Sequence, residues 1–311
     1  MRIVFAGTPA AATPSLEALH HSRHDVCAVV TRNDAPQGRK RVLTPSPVAQ
    51  TAAELGIPLI KANRLDDDVT ARVAALDADL GVIVAYGGLV RAPLLATPAH
   101  GWINLHFSAL PTWRGAAPVQ RALINGDTTI DTTVFQLTEG LDEGDIWRSS
   151  STRIAPDETA GELLTRLARS GADDLVAAVD GIEDGTLTPR AQAGTPTYAS
   201  KLALADGRLD LSEPLSAVYN RFRGVTPEPG AHVLVDGERF KIHAAEQGDD
   251  HIPRLPPGSF DMVDGRVLLG TGSSPLVLTR VQPSGKPAMN AADWWRGQQG
   301  RPLAAQVGES A

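Results

Sequence analysis

The first half of the chain alternates short, β-branched apolar runs with longer stretches of helical periodicity. The apolar runs are residues 3–5, 26–30, 80–85 and 103–105, and the helical stretches include 15–21, 48–55 and 69–76. Strands that alternate with helices are typical of βαβ units, whose strands pair in parallel. This pattern predicts an α/β fold with a doubly wound, mostly parallel, Rossmann-like sheet.

The character of the sequence changes near residue 185, and 311 residues are enough for two domains. A polar stretch punctuated by glycine and proline follows, and beyond it short apolar runs are separated by turns. Asp236-Gly237 lies between two such runs, which is the pattern of a β-hairpin. We therefore predict an α/β domain over 1–188, a linker over 189–205 and a small, OB-like β-barrel domain over 206–311.

Composition narrows the class of protein. No apolar run approaches the roughly 20 residues that a membrane-spanning helix needs. Cys27 is the single cysteine, so no disulfide framework exists, and we expect a reduced, cytoplasmic setting. The net charge of −7 gives no general attraction to nucleic acid, so any such contact requires a local basic patch.

Two segments carry residues suited to acid–base chemistry. Asn104 and His106 are two apart in the fourth predicted strand, so they point to the same face, at the carboxyl end where such sheets bind ligands. The glycine-flanked loop 139–145 places acidic side chains at Asp142 and Asp145, and spacing does not choose between them. A hydrogen-bonded core histidine and a solvated acidic turn remain the structural alternatives.

A basic run, Arg39-Lys40-Arg41, lies in a segment flanked by glycine and proline, with Arg32 nearby. Such a run forms either a solvated face or a phosphate-binding patch. No HExxH or Cys–His spacing indicates a metal site, and Ala6-Gly7-Thr8-Pro9 is not a GxGxxG dinucleotide fingerprint. We therefore expect neither a metal nor a nicotinamide cofactor.

Seven blocks spread along nearly the whole chain resemble the methionyl-tRNA formyltransferase family. They are Phe5–Pro9, Thr44–Val48, Val84–Gly87, Trp113–Ala122, Gly140–Asp145, Thr197–Lys201 and Leu278–Lys286. The Trp-Arg-Gly-Ala-Ala-Pro run and the Gly-Leu-Asp-Glu-Gly-Asp loop are specific in combination and weaker separately. Four positions depart from the family pattern: Phe107, Ala109, Thr112 and the segment 226–230, which lacks a tryptophan.

The resemblance implies transfer of a formyl group from 10-formyltetrahydrofolate to the α-amino group of methionyl initiator tRNA, without a metal. It implies catalytic roles for Asn104, His106 and Asp142. The residues implied to bind folate are Ser108, Ala109, Leu110 and Pro111, and those implied to bind tRNA are Arg39, Lys40 and Arg41. It makes 1–188 the formyltransferase domain and 206–311 a domain that binds the tRNA body. Basic residues suited to that second surface are Arg221, Arg223, Lys241 and Lys286.

These residue types suit attack by an amine on a formyl carbon. Asn104 and His106 can donate hydrogen bonds to the oxyanion that forms, and Asp142 can orient His106 and favour its charged form. We expect a monomer that contacts no membrane. The alternatives are a nucleotide-sugar formyltransferase, a formyltetrahydrofolate hydrolase, and a tRNA-binding protein without activity.

Overall fold

The computed structural model describes residues 1–38, 40–249, 251–299 and 301–308. Its strands are β1 Arg2–Gly7, β2 Asp25–Thr31, β3 Ala35–Gln37, β4 Val42–Thr44, β5 Leu59–Lys61, β6 Leu80–Val84, β7 Trp102–His106, β8 Arg114–Gly115, β9 Thr129–Gln136, β10 Ile146–Arg153, β11 Tyr198–Ala199, β12 His232–Val235, β13 Glu238–Gln247, β14 Phe260–Val263, β15 Arg266–Leu269, β16 Leu276–Gln282 and β17 Met289–Asn290. Its α-helices are α1 Thr13–His20, α2 Pro47–Glu54, α3 Asp67–Ala74, α4 Ala92–Leu95, α5 Pro118–Asn125, α6 Ala160–Glu183, α7 Leu215–Gly224 and α8 Ala291–Arg296. Two 3₁₀ turns span Ala10–Ala12 and Leu204–Gly207.

The chain divides into two compact units, each built from several segments. The first unit comprises residues 1–118, 129–153 and 164–200. The second comprises 119–128, 154–163 and the chain from 201 onwards. Helix α5 and the start of α6 therefore belong to the second unit, although they lie far before it in sequence. The boundaries at 188 and 206 stay predictions.

A seven-stranded sheet in the order β10-β9-β7-β6-β1-β2-β5 forms the centre of the first unit. Five strands, β5, β2, β1, β6 and β7, pair in parallel, whereas β9 and β10 extend the sheet in antiparallel fashion. The predicted mostly parallel, Rossmann-like sheet is confirmed. Its strands β1, β2 and β6 are almost entirely buried, because helices cover both faces of such sheets.

The antiparallel pair β9 and β10 was not predicted, because both strands are rich in threonine, serine and charged residues. The buried Thr132 hydroxyl donates to Asp174 of α6 at 2.7 Å, and Ser150 and Arg148 of β10 donate to the same carboxylate. Polar side chains are tolerated inside the unit here because each one has a hydrogen-bond partner. The network ties the two outer strands to α6.

The second unit contains a curled antiparallel sheet, a half-barrel, in the order β12-β13-β16-β15-β14, with β17 paired to β16. The predicted hairpin is confirmed: Asp236 and Gly237 both have positive φ and connect β12 to β13. The rings of Phe240, Phe260 and Trp294 pack against one another in the core of this unit. The predicted fold class, an α/β sheet followed by a small β domain, is confirmed.

Much of the segment predicted as a linker is hydrogen bonded to the first unit. Arg190 exchanges two backbone hydrogen bonds with Ile146 at the start of β10, at 2.7 and 2.9 Å. Strand β11 then pairs in parallel with β8, with Tyr198 opposite Arg114 and Ala199 opposite Gly115. Residues 190–199 therefore run along the first unit with both ends fixed.

No helix within the described ranges is both long enough and apolar enough to cross a membrane.

Candidate active site

Strand β7 carries the first half of the candidate site. It lies between β6 and β9, with Asn104 opposite Ile83 on one side and Phe135 on the other. The Oδ1 atom of Asn104 is buried and has no hydrogen-bond partner among the described residues. Leaving a buried polar atom unpaired costs about 1–3 kcal/mol, so a group that binds here gains by pairing it.

His106, at the end of β7, is 6% exposed and is fixed by one hydrogen bond. Its Nε2 lies 2.9 Å from the carbonyl oxygen of Trp113, and a carbonyl oxygen only accepts, so Nε2 carries the proton. Its ring also packs nearly perpendicular to the ring of Phe135. In the neutral imidazole Nδ1 therefore has a free lone pair.

Asp142 completes the arrangement from the loop between β9 and β10. Its Oδ2 accepts a hydrogen bond of 2.7 Å from the backbone N–H of Gly115 and lies 3.9 Å from Nδ1 of His106. Asp145, which spacing could not distinguish from Asp142, has an exposed side chain. Of the two acidic positions the sequence left open, Asp142 is the one near His106.

The pKa of His106 is lowered from its ordinary value, chiefly because burial disfavours the charged ring. The nearby Asp142 carboxylate and the hydrogen bond to Trp113 act in the opposite direction and offset this only in part. The contribution expected from Asp142 thus has the predicted sign, but burial outweighs it. His106 is therefore mainly neutral near pH 7, with Nδ1 able to accept a proton.

Two glycines of the family motifs are required by close approach of the backbone. A Cβ on Gly144 would collide with the carbonyl oxygen of Gln136. Gly115 has φ +121°, and a Cβ there would lie 2.7 Å from the carbonyl oxygen of Ala199. These contacts place the 139–145 loop against β9 and place β8 against β11.

Sequence reasoning missed Gln192, which lies in the segment predicted as a linker. Its Nε2 donates to the carbonyl oxygens of Asp142 and Gly144, at 2.8 and 2.9 Å. Its Oε1 accepts from Nε and Nη2 of Arg114, at 3.2 and 2.7 Å. No sequence signal separates it from any other glutamine, because its partners are 48–78 residues away.

The segment predicted to bind folate follows β7 directly. Ser108, Leu110 and Pro111 are buried, and Ala109 is the one member with an exposed side chain. The Ser108 hydroxyl donates to the carbonyl oxygen of Thr112 at 2.6 Å, so it already has an internal partner. Phe107 is buried and follows His106 directly after β7 ends.

The predicted basic segment forms a hairpin of β3 and β4, in which Lys40 and Arg41 are exposed. Arg39 lies outside the described residues. Arg32, grouped with this run from sequence, instead donates to the carbonyl oxygens of Tyr86 and Gly87 and is not part of the exposed basic tip. The hairpin also exposes Val42 and Leu43, at 59% and 67%.

In the second unit, Arg223 is not available to a large substrate. It is 6% exposed, and its guanidinium donates to Asn220 and to the carbonyl oxygens of Ala155 and Glu158. The suggestion that Arg223 lies on a tRNA-binding surface is therefore wrong. Arg221 and Lys241 are half-buried, and Lys286 is exposed.

One group of metal-ligand atoms occurs in the part of the chain that the structure describes. His24, Asp180 and Glu183 bring ligand atoms within 4.8 Å of one another. Arg23 already pairs with both carboxylates, at 2.6 and 3.1 Å, so positive charge is present without an ion. None of these residues contacts Asn104, His106 or Asp142.

The sequence matches two family models. The formyl transferase model covers residues 1–179, and the formyl transferase C-terminal domain model covers 201–299. Proteins named methionyl-tRNA formyltransferase are similar over nearly the whole chain. The one from Clavibacter michiganensis subsp. michiganensis is 56% identical over 98% of this chain and 100% of its own length. The one from Clavibacter sepedonicus is 58% identical over 96% of this chain and 97% of its own length.

The chain belongs to the methionyl-tRNA formyltransferase family.

The family and enzyme class predicted from the motifs are therefore confirmed. Solved structures agree at the level of the fold. A methionyl-tRNA formyltransferase from Clostridium thermocellum matches with a TM-score of 0.59 at 15% identity, over 80% of this chain and 95% of that one. A sugar 3N-formyltransferase, solved with dTDP and 5-N-formyl-THF, matches with a TM-score of 0.68 at 15% identity, over 92% of this chain and 99% of that one.

Proposed function

We propose that this member of the methionyl-tRNA formyltransferase family transfers the formyl group of 10-formyltetrahydrofolate to the α-amino group of methionyl initiator tRNA. Asn104, His106 and Asp142 are the proposed catalytic residues. The observation that supports this most directly is the geometry of the three side chains: Nδ1 of His106 faces Oδ2 of Asp142 at 3.9 Å, and Asn104, two residues before His106 on the same strand, has a buried, unpaired Oδ1. The formyl-folate present in the related sugar transferase supports a folate as the donor.

The gap between His106 and Asp142 suits an amine. Nδ1 of the neutral ring and Oδ2 of the carboxylate are both acceptors, and 3.9 Å is too long for a direct hydrogen bond. A substrate ammonium group placed against both atoms would donate to each. An α-ammonium group with a pKa of about 8 can lose one proton to solvent near pH 7 and become nucleophilic, and His106 is placed to accept the second proton, which the nitrogen must lose once it has attacked. Such a positioned base contributes typically about 10² to 10⁴ in rate.

Asn104 can stabilise the negative charge that develops on the formyl oxygen. Attack forms a bond between the amine nitrogen and the formyl carbon and places negative charge on the formyl oxygen. The carboxamide of Asn104 has an unpaired end, and its N–H group can donate to that oxygen after rotation about χ2. Loss of one oxyanion donor typically costs about 10² to 10³ in rate.

Collapse of the intermediate breaks the bond between the formyl carbon and N10 of the folate. His106 returns to that departing nitrogen the proton that it accepted after attack, and the first proton of the ammonium group has gone to solvent, so protons balance over the cycle. Asp142 stabilises the imidazolium while it exists and is held for that task by the Gly115 N–H. The products are formylmethionyl-tRNA and tetrahydrofolate.

The direct test is an assay of the purified chain with 10-formyltetrahydrofolate and initiator tRNA charged with methionine. Formylmethionine released from the tRNA by base is the expected product. Formate produced equally without tRNA would indicate a hydrolase, and formylation of a nucleotide amino sugar in place of tRNA would indicate the sugar enzyme. Tight tRNA binding without any of these products would indicate a protein without activity.

The basic hairpin supports tRNA as the partner. Replacing Arg39, Lys40 and Arg41 by Ala should raise KM for tRNA about tenfold, equivalent to about 1.4 kcal/mol, and leave KM for the folate nearly unchanged. Phosphate contacts release counterions, so the variant should also lose affinity less steeply with salt. Replacement of the exposed Arg64 and Arg72 by Ala is the matched control. If the affinity of the variant for tRNA falls as steeply with salt as that of wild type, the hairpin is a solvated face that does not contact tRNA.

We further propose that the protein acts in the cytoplasm as a monomer and needs no metal. Sedimentation of the protein with and without tRNA tests whether it is a monomer. Activity that survives chelation with EDTA would show that it needs no metal.

A further inference from the structure

Asp142 occupies a backbone conformation that requires outside support. Its φ is +49°, in the left-handed region that costs a non-glycine residue roughly 1 kcal/mol or more. Leu141 and Glu143 are exposed, so the packing of Gly144 against Gln136 holds the end of the loop and not the two residues next to Asp142. The carboxylate accepts a hydrogen bond from the Gly115 N–H, and this bond acts on the side chain of Asp142 and not on the loop backbone.

We propose that Gln192 is the positioning residue that holds this backbone, and hence the carboxylate of Asp142, in register with His106. The inference rests on the function proposed above, in which Asp142 is catalytic. Gln192 donates to the carbonyl oxygens on both sides of Glu143, those of Asp142 and Gly144. Two such bonds from one carboxamide fix the orientation of the peptide units that follow Asp142.

The other end of the same carboxamide is anchored. Two guanidinium N–H groups of Arg114 donate to Oε1 of Gln192, and the Arg114 side chain is 11% exposed. Arg114 immediately precedes Gly115, whose N–H holds the Asp142 carboxylate. Strand β8 is therefore connected to the loop in two ways: directly through the Gly115 N–H, and indirectly through Arg114 and Gln192. Hydrogen bonds that involve a charged donor are worth about twice neutral ones.

Gln192 is itself held in place by backbone contacts on either side. Arg190 is bonded to Ile146 at the start of β10, and Tyr198 and Ala199 pair with β8. Gln192 thus lies on a segment attached to β10, which follows the 139–145 loop, and to β8, whose Gly115 holds the Asp142 carboxylate. A side chain at this position can set the loop geometry without touching a substrate.

Four proteins test the proposal: wild type, Gln192→Leu, Asp142→Asn and the double variant. Gln192→Leu removes both bonds to the loop, and a misplacement of catalytic groups by about 1 Å can cost up to 10² in rate. We expect kcat to fall about 10- to 100-fold in Gln192→Leu, with KM for folate and tRNA changed less than threefold. We expect Gln192→Leu to cause no further fall in the Asp142→Asn background, because residues that act as a unit are not additive.

Gln192→Glu tests the accepting and the donating end of the Gln192 carboxamide separately, and it replaces Gln192→Leu if that variant folds poorly. A carboxylate still accepts from Arg114 but cannot donate to the two carbonyl oxygens. It should therefore lower kcat nearly as much as Gln192→Leu while keeping the melting temperature close to that of wild type. Gln247→Leu, at the exposed end of β13, is the matched control and should be unchanged.

The outcomes separate the inference from the proposed function. Near-wild-type kcat in Asp142→Asn would remove Asp142 from the chemistry, and the proposed function would fail at that residue. An impaired Asp142→Asn together with a fully active Gln192→Leu or Gln192→Glu would overturn the positioning role alone. An equal fall caused by Gln192→Leu in both backgrounds would also overturn it, because Gln192 would then act independently of Asp142.

Discussion

The two sides of the candidate site are built differently. Asn104 and His106 stand on β7, whose backbone is bonded to β6 on one side and β9 on the other. Asp142 stands on a loop, at φ +49°, and depends on the Gly115 N–H and the Gln192 carboxamide. A strand in the middle of a sheet is held by many bonds at once, so a change to one of its side chains alters chemistry and not position. The loop has few restraints, so remote changes alter its geometry.

The largest effect should come from removing a catalytic group on either side. His106→Ala and Asp142→Ala should each lower kcat by at least about 10², because each loses acid–base function. Folate binding, measured by isothermal titration, should be mostly intact, and His243→Ala, on an exposed part of β13, provides a control. Turnover close to wild type in either variant would remove that residue from the mechanism.

A smaller fall in kcat should come from moving Gly115, whose N–H holds the carboxylate of Asp142 on the loop side. In Gly115→Ala the new Cβ would meet the Ala199 carbonyl oxygen at 2.7 Å, at a φ of +121° that alanine rarely adopts. Strand β8 must then shift and carry the N–H that holds Asp142, so kcat should fall about 10-fold or more.

Gly185→Ala is the matched control for Gly115→Ala. It has the same positive sign of φ, at +64°, but no atom lies within 4 Å of its added Cβ. It should cost some stability and leave kcat unchanged. If both glycine variants lose kcat equally, backbone strain in general and not the position of Asp142 is responsible.

The smallest effect on catalysis should come from changing Asp174, whose hydrogen bonds with β9 and β10 support the strand side of the site. Burial raises the pKa of Asp174, but hydrogen bonds from Thr132, Arg148 and Ser150 outweigh it, so the pKa is lowered from its ordinary value of 3.8. A carboxylate with a lowered pKa adds stability above the unfolded-state pKa, and this is lost as pH falls through the folded value. The contribution of Asp174 should therefore be complete at pH 7 and begin to be lost below about pH 4, as pH falls towards the lower folded-state pKa.

Asp174→Asn measures that support. Breaking one partner of a buried polar network typically costs about 1–3 kcal/mol, so chemical denaturation at pH 7 should show a lower free energy of unfolding. The difference from wild type should shrink as pH falls below about 4, and kcat at 25 °C should change little because β7 keeps its backbone bonds. A loss of kcat as large as that of Gly115→Ala would show that the strand side is no better supported than the loop side.

The same contrast explains what the sequence could predict. Strands β1, β2, β6 and β7 follow from local apolar runs, and the pair Asn104 and His106 follows from strand alternation. Asp142 could be chosen over Asp145 only by resemblance, because the choice depends on a distant histidine. Gln192 could not be predicted from the sequence, since its role depends on partners that are distant along the chain. They are the carbonyl oxygens of Asp142 and Gly144 and the guanidinium group of Arg114. Strands β9 and β10 escaped prediction because their buried threonines and serines pair with Asp174, a partner that periodicity does not reveal.

The membership of residues 119–128 and 154–163 in the second unit has a consequence for synthesis on the ribosome. Both segments emerge long before their partners: Ile124 packs against the core of that unit, and Asp157 accepts a hydrogen bond from Tyr219. Ile124 therefore lacks its partners in that core while the chain from residue 201 onwards is still to be translated. All segments of the first unit are translated by residue 200, whereas residues 119–128 and 154–163 wait for the rest of the second unit until translation has passed α7.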